Sequence, residues 1–203
     1  MQRICETHGS VKQYLLGLIT LVTAATRSCP YCADKHPMRL HGCYWRWAIT
    51  SGYPEGVKIR IQRLLCPVTG CTVSLLPDFC HPRRQYGPSF IGVFLVALII
   101  KGKTLLDALH AVRPSVSSHA VGQSLRDGFT DQEHVLNAYV SSIHPEKIKV
   151  PRRISQQQQP YARLVLGLTG ESRNPGKHFV HHAHGIHARF GQSLLAKTRQ
   201  ATS

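Results

Sequence analysis

Two close cysteine pairs constrain this chain more than any other feature. They are Cys29-Pro30-Tyr31-Cys32 and Cys66-Pro67-Val68-Thr69-Gly70-Cys71, a C-x2-C … C-x4-C arrangement with 33 residues between the pairs. Each short spacing lets a tight turn present two thiolates to one ion, and Gly70 relieves the second turn. Four thiolates in a tetrahedron leave no open position for a substrate, so the ion expected here, Zn2+, is structural. Such a site also supplies folding energy to a strand-rich segment too small to hold together alone. The expected metal ligands are therefore Cys29, Cys32, Cys66 and Cys71, with Cys80 and His81 as rivals for the fourth position. The competing readings are four buried thiols or a redox pair. A thioredoxin-like redox motif lies between a strand and a helix, whereas this one precedes a predicted hairpin. Cys43 lies in the first predicted strand, and Cys5 with His8 precedes the first helix. Cys43, like Cys80, could replace Cys71 but has no knuckle partner, and Cys5 and His8 stand at C-x2-H spacing; all read as ordinary buried or surface residues.

The chain holds seven cysteines, an odd number that suits metal ligation in a reducing compartment better than a secreted disulfide framework. Lys plus Arg number 25 against 10 Asp plus Glu, a formal net charge of +15. A surplus of that size favours a polyanionic partner, either nucleic acid or an anionic membrane surface. Two apolar runs bear on the membrane alternative. Residues 14 to 25 (YLLGLITLVTAA) resemble a signal-peptide core, but Glu6 lies in the leading stretch and metal-type cysteines follow. Residues 90 to 100 (FIGVFLVALII) make about half the length of a spanning helix. Both runs are expected to be buried helices of a cytoplasmic protein that has DNA, and no membrane, as its partner.

The expected fold class is α+β, in four parts. Residues 1–27 hold an N-terminal helix over 10–26, capped by Ser10, with Leu15, Leu18, Ile19 and Val22 on one face. Residues 28–80 form a small β zinc ribbon. There Val57, Ile59 and Ile61 alternate with Lys58, Arg60 and Gln62, which predicts a strand with one basic face; the turn is 51–56 and a last strand, Thr72 to Pro77, ends at its proline. Residues 81–143 are helical, entered through a basic linker over 80–88 (CHPRRQYGP) that contains Arg83 and Arg84. Residues 144–203 carry ten Lys or Arg, two acids (Glu146 and Glu171) and a glutamine run, and read as a loosely ordered basic tail.

Within the helical part, Ser89 to Lys101 is a predicted helix ended by Gly102. Thr104 caps a second, Leu105 to Val112, and Arg113-Pro114-Ser115 is a turn. Ser117 or Ser118 caps a third, His119 to Phe129, with Val121, Leu125 and Phe129 on one face. This is the pattern of a helix-turn-helix unit, or of a plain structural hairpin. In the first case Ser117, Ser118, His119, Gln123 and Arg126 face the major groove, and Arg46, Lys58, Arg60, Arg83 and Arg84 add basic contacts from the ribbon and linker.

The run from CPYC through HGCYWRW and IRIQRLLCPVTGCTVSLLP to PRRQY resembles the zinc ribbons at the head of bacterial transposase-type proteins. It is especially similar to a transposon-associated domain family, DUF6431. Gly42, Tyr44 and Arg46 match that family's G-x-Y-x-R strand, and Thr72, Ser74, Leu76 and Pro77 match its T-x-S-x-L-P exit. The second knuckle departs from the commoner x2 spacing. The resemblance implies a zinc-ribbon, DNA-binding protein of mobile-element origin, with a transposase or a second copy as a possible protein partner.

No catalytic residue is assigned. A carboxylate-triad transposase needs three acids converging on paired metal ions. The acids after the ribbon are Asp107, Asp127, Asp131, Glu133, Glu146 and Glu171, and no strand pattern surrounds them. The histidines His178, His181, His182, His184 and His187 read as a solvated cluster without carboxylate partners. The expectation is an accessory or truncated DNA-binding protein, not an enzyme. The alternative is a metal-stabilised protein-interaction module whose charge serves solubility.

Overall fold

The computed structural model describes residues 1–115, 118–146, 148–170 and 174–190. Among these the chain is mixed α+β, with one four-stranded sheet and eight α-helices. It divides into two compact units, Met1–Ile49 with Gly56–Gly87, and Thr50–Glu55 with Pro88–Ser203.

The sheet runs in the order β1-β4-β3-β2, where β1 is Gln2–Cys5, β2 is Arg39–Thr50, β3 is Tyr53–Leu65 and β4 is Thr72–Pro77. The β2–β3 connection is only Ser51 and Gly52, short enough to join antiparallel strands alone. Strand β4 pairs antiparallel with β3, Leu64 opposite Val73, and parallel with β1, Ile4 opposite Leu76. The alternation along β3 holds: Ile59 and Ile61 are buried while Lys58 and Arg60 are exposed. Ile59 and Ile61 join Ala48, Leu76, Phe79 and Cys80 in one apolar cluster. Leu64, Val73 and Leu75 join Cys5, Leu21, Cys29, Met38 and Cys66 in another.

The N-terminal region departs from the expected single helix over 10–26. It holds α1, Val11–Leu15, and α2, Ala24–Arg27, each opened by a capping box, Ser10 with Gln13 and Thr23 with Thr26. Between them Gly17 takes φ +71°, a left-handed conformation that ends a helix. The apolar run is not a buried helix either: Leu16 and Leu18 are 63% and 71% exposed, and Leu21 alone of that run is buried. Strand β1 was not expected. It adds to the outer edge of β4, and the terminal ammonium donates to the Thr72 carbonyl at 3.1 Å.

The stretch 80–88 is not an extended linker. Its backbone is tied to the end of β2, with the Ile49 amide donating to the Gln85 carbonyl at 2.8 Å and the Gly87 amide to the Ile49 carbonyl at 2.7 Å. Cys80 and His81 are buried within it.

The second unit is helical: α3 (Pro88–Leu95) running into a π-helical turn (Val96–Ile100), α4 (Leu105–His110), α5 (His119–Thr130), α6 (Glu133–Ile143), α7 (Gln159–Thr169) and α8 (Pro175–Phe190). Gly102, at φ +63°, follows the π-helical turn, and Thr104 caps α4 through the Asp107 amide. Helices α7 and α8 correct the expectation of a loose tail over 159–169 and 175–190; residues 191–203 of that stretch lie outside the described residues. Beneath a polar composition, Ala162, Val165 and Leu168 recur at helical spacing on α7, as do Phe179, Ala183 and Ile186 on α8, and all six are buried. Helix α8 crosses α3 so closely that a Cβ on Gly92 would meet the Phe179 Cβ at 2.6 Å. Among the described residues, no helix is long and apolar enough to cross a membrane.

Candidate metal centre

The first knuckle lies in a loop between α2 and β2 that folds back on itself. The Cys29 amide donates to the His36 carbonyl at 3.0 Å, and Ser28 bridges to Pro37. This closure returns His36 beside the cysteine that opened the loop. The second turn begins where β3 ends. There the Cys66 amide donates to the Cys71 carbonyl at 2.9 Å, and the Gly70 amide to the Cys66 carbonyl at 3.0 Å. Gly70 takes φ +69°, where a side chain would be strained. The Thr69 amide donates to the Cys66 sulfur at 3.3 Å.

One ligand atom each from Cys29, Cys32, His36 and Cys66 lies within 4.8 Å of the other three. The Cys32 and Cys66 sulfurs are 3.7 Å apart, and His36 Nε2 is 3.4 Å from the Cys66 sulfur. A tetrahedral zinc ion, with Zn–S near 2.3 Å and Zn–N near 2.0–2.1 Å, sets sulfurs about 3.8 Å apart and a sulfur and nitrogen about 3.6 Å apart. The group is therefore compatible with zinc binding. His36 Nδ1 lies 3.4 Å from the Pro37 carbonyl, which only accepts; a proton there leaves the Nε2 lone pair facing the sulfur. Cys29 and Cys66 are buried, and Cys32 and His36 half-buried.

The thiols are not equivalent. Burial opposes charge on Cys66, but the Thr69 hydroxyl, the Thr69 and Val68 amides and the Cys29 thiol outweigh it and bring the Cys66 thiol down to about 6. Cys32 is pushed up to about 12 by burial and by hydrogen bonds to Cys29 and Cys66. The cluster so favours one thiolate, and a bound dication would supply the charge that deprotonates its neighbours.

Cys71, expected as the fourth ligand, is exposed and outside this group. The backbone closure from Cys29 to His36 fills the fourth corner with an imidazole instead. The sequence signal for His36 is the C-x3-H spacing from Cys32, itself a metal-ligand spacing. The rivals fail too. Cys80 lies in the apolar cluster around Ile59 and Ile61, its thiol pushed up to about 12 by burial, and His81 is not in the metal group. Among the described residues no second group of three or more His, Cys, Asp or Glu comes within ligating distance, the α8 histidines included.

The candidate DNA contacts are dispersed. Lys58 and Arg60 are exposed on β3, and Arg83 is exposed at φ +59°. Arg46 is half-buried and donates through Nη2 to the His81 and Arg84 carbonyls, so it holds the 81–84 segment in place. Arg84 is itself part-buried, which lowers its pKa. Ser118, His119, Gln123 and Arg126 are exposed on or before α5, with Arg126 paired to Asp127 at 2.9 Å; Ser117 lies outside the described residues. Ser118 stands at the N-cap of α5, but its side chain makes no capping bond. The connection from His110 to His119 is longer than the three- or four-residue turn of a helix-turn-helix.

Residues 29–107 match the family described as a domain of unknown function (DUF6431). The DUF6431 match opens on Cys29 and takes in all four members of the metal group, the β2–β3 hairpin and the start of α4. No curated protein and no solved structure matched the chain.

Proposed function

We propose that this is a zinc-binding, DNA-binding protein in which the ion serves as scaffold. The observation that carries the reading is the Cys29, Cys32, His36 and Cys66 group, at distances that suit a tetrahedral ion. A closed set of three sulfurs and one nitrogen stabilises a small β unit and leaves no position for catalysis at the metal. The formal net charge of +15 supports a polyanionic partner, and Lys58, Arg60 and Arg83, with Gln123 and Arg126 on α5, are exposed to meet one. The resemblance of the ribbon segment to transposon-associated domains supports a role beside mobile-element transposases. On this reading the chain is a transposase-like or accessory DNA-binding protein of the cytoplasm.

The test is metal analysis of the purified chain together with duplex-DNA retention across a salt series. One zinc per chain is expected, with log K falling linearly against log salt as counterions are released. No retention of duplex at low salt would overturn the DNA role, and a metal-free protein purified without chelator would overturn the scaffold. Exposed Leu16 and Leu18 favour a second reading, a metal-stabilised protein-interaction module. A defined protein partner that binds the chain free of nucleic acid, and loses affinity on Leu18→Ser, would favour that reading.

A further inference from the structure

The β2–β3 hairpin carries an exposed aromatic and basic face that a metal scaffold does not require. On β2, Cys43, Trp45 and Trp47 fall on one side of the strand, and all three are exposed, the indoles by 60% and 51%. Three contacts place the facing residues of β3. Trp47 lies over Gly56, where a Cβ would meet the indole at 3.2 Å; Lys58 Nζ lies 5.7 Å from the Trp45 ring centroid; and Arg60 Nε donates to the Cys43 sulfur at 2.9 Å. The opposite side of the same strands is the buried one, with Ala48, Ile59 and Ile61. Two large indoles therefore stay in water although the unit has an apolar core available, and two cations stand between and beside them.

We propose that this face binds single-stranded DNA, with unpaired bases stacked on Trp45 and Trp47 and phosphates met by Lys58 and Arg60. Three observations choose this occupant. The indoles offer ring faces, which unpaired bases can stack on and which the already stacked bases of a duplex cannot reach. The charge is complementary: the one acid on β2 or β3 is Glu55, which pairs with Arg113 at 3.5 Å and stands one position out of step with Gly56, Lys58 and Arg60. A protein partner fits less well, because the centres of protein interfaces are depleted in lysine, and Lys58 sits over the middle of this patch. Glycine at position 56 leaves room for the Trp47 ring, since a Cβ there would meet its Cε3 at 3.2 Å. The proposal goes beyond duplex binding and stands on different side chains from those of α5.

Trp45 and Trp47 are the only tryptophans of the chain, so tryptophan fluorescence, excited beyond the tyrosine absorption, reports on this face alone. The experiment titrates the full zinc-loaded chain with an oligothymidylate of about twelve nucleotides. Fluorescence and the anisotropy of an end-labelled copy are read together, with a labelled duplex as a parallel arm. Saturable quenching is expected, and Trp45→Ala and Trp47→Ala should each weaken oligothymidylate binding about tenfold while zinc content and circular dichroism stay unchanged. Oligothymidylate binding without quenching, or with both variants within twofold of the parent, overturns the proposal. So does concentration-dependent self-association that buries the indoles, which would make the face a protein interface. Duplex binding without oligothymidylate binding overturns this proposal and leaves the duplex role standing. Quenching by oligothymidylate with no duplex binding does the reverse.

Discussion

His36 Nε2 lies 3.4 Å from the Cys66 sulfur, although 30 positions separate the two residues in the chain. Their meeting joins the loop before β2 to the turn after β3, and the protonation of Cys66 governs how readily a metal completes the link. With its thiol near 6, Cys66 is already a thiolate above that pH and adds no proton to those released on metal binding. Below about pH 6 it must lose one, so log Kd for zinc should steepen by one further decade per pH unit. Thr69→Val removes the hydroxyl that favours the thiolate and should move this break to higher pH, whereas Cys71→Ser should leave it in place. A competition titration with a chromophoric chelator at several pH values measures both.

Arg46 is expected to act on stability. Its guanidinium donates to the carbonyls of His81 and Arg84, and hydrogen bonds involving a charged group contribute about 1.5–3 kcal/mol. Arg46→Ala should lower the denaturation midpoint by a corresponding amount, and Arg46→Lys should recover only part of it. Loss of DNA affinity with unchanged unfolding would show that Arg46 contacts DNA instead.

The close crossing of α3 and α8 gives a direct check on the C-terminal helices. Phe179→Ala deletes a fully buried ring and should destabilise the helical unit by about 3–5 kcal/mol. Gly92→Ala forces a Cβ against Phe179 and should destabilise it by about 1–3 kcal/mol. Urea unfolding followed by helical circular dichroism reads both. A loose tail over these residues would leave the two variants indistinguishable from the parent.

His182 makes the same unit acid-labile. Burial, then the nearby His181, His144 and His178, hold its pKa down to about 4, and its Nδ1 lies 3.2 Å from the Tyr139 hydroxyl. The unfolded chain takes up this proton near pH 6.5, whereas the folded chain resists it until about pH 4. Stability contributed by the neutral ring is thus complete above pH 6.5 and is lost as pH falls toward 4. Melts followed by helical circular dichroism should show Tm dropping across that window, and His182→Gln should flatten the drop. An unchanged pH profile in the variant would contradict this.

What the sequence made legible was local. The alternation of Ile59 and Ile61 with Lys58 and Arg60 showed the strand and its basic side, and Thr104 showed a helix start. Cys29, Cys32 and Cys66 were readable because ligand spacing is a short-range pattern. The C-x3-H spacing from Cys32 makes His36 a candidate, but what decides it over Cys71 is the backbone closure between Cys29 and His36, which spacing does not encode. Arg46 read as a surface cation, yet it sits one residue out of step with Trp45 and Trp47 and so turns to the other side of β2, toward the 81–84 carbonyls. Strand β1 depends on a partner edge more than seventy residues away. In α7 and α8 the apolar spacing is present but lies among glutamines and histidines, so the polar composition masks the helical period.

The most direct test of the metal centre is the cobalt-substituted protein with two single variants, His36→Ala and Cys71→Ser. Three thiolates and one imidazole should give a tetrahedral cobalt spectrum with sulfur-to-metal charge transfer, and Cys71→Ser should leave that spectrum and a one-to-one metal content intact. His36→Ala should shift the ligand-field bands and weaken metal binding by about tenfold or more. The opposite pattern, metal lost in Cys71→Ser and an unchanged spectrum in His36→Ala, would contradict the assignment and return the fourth position to Cys71.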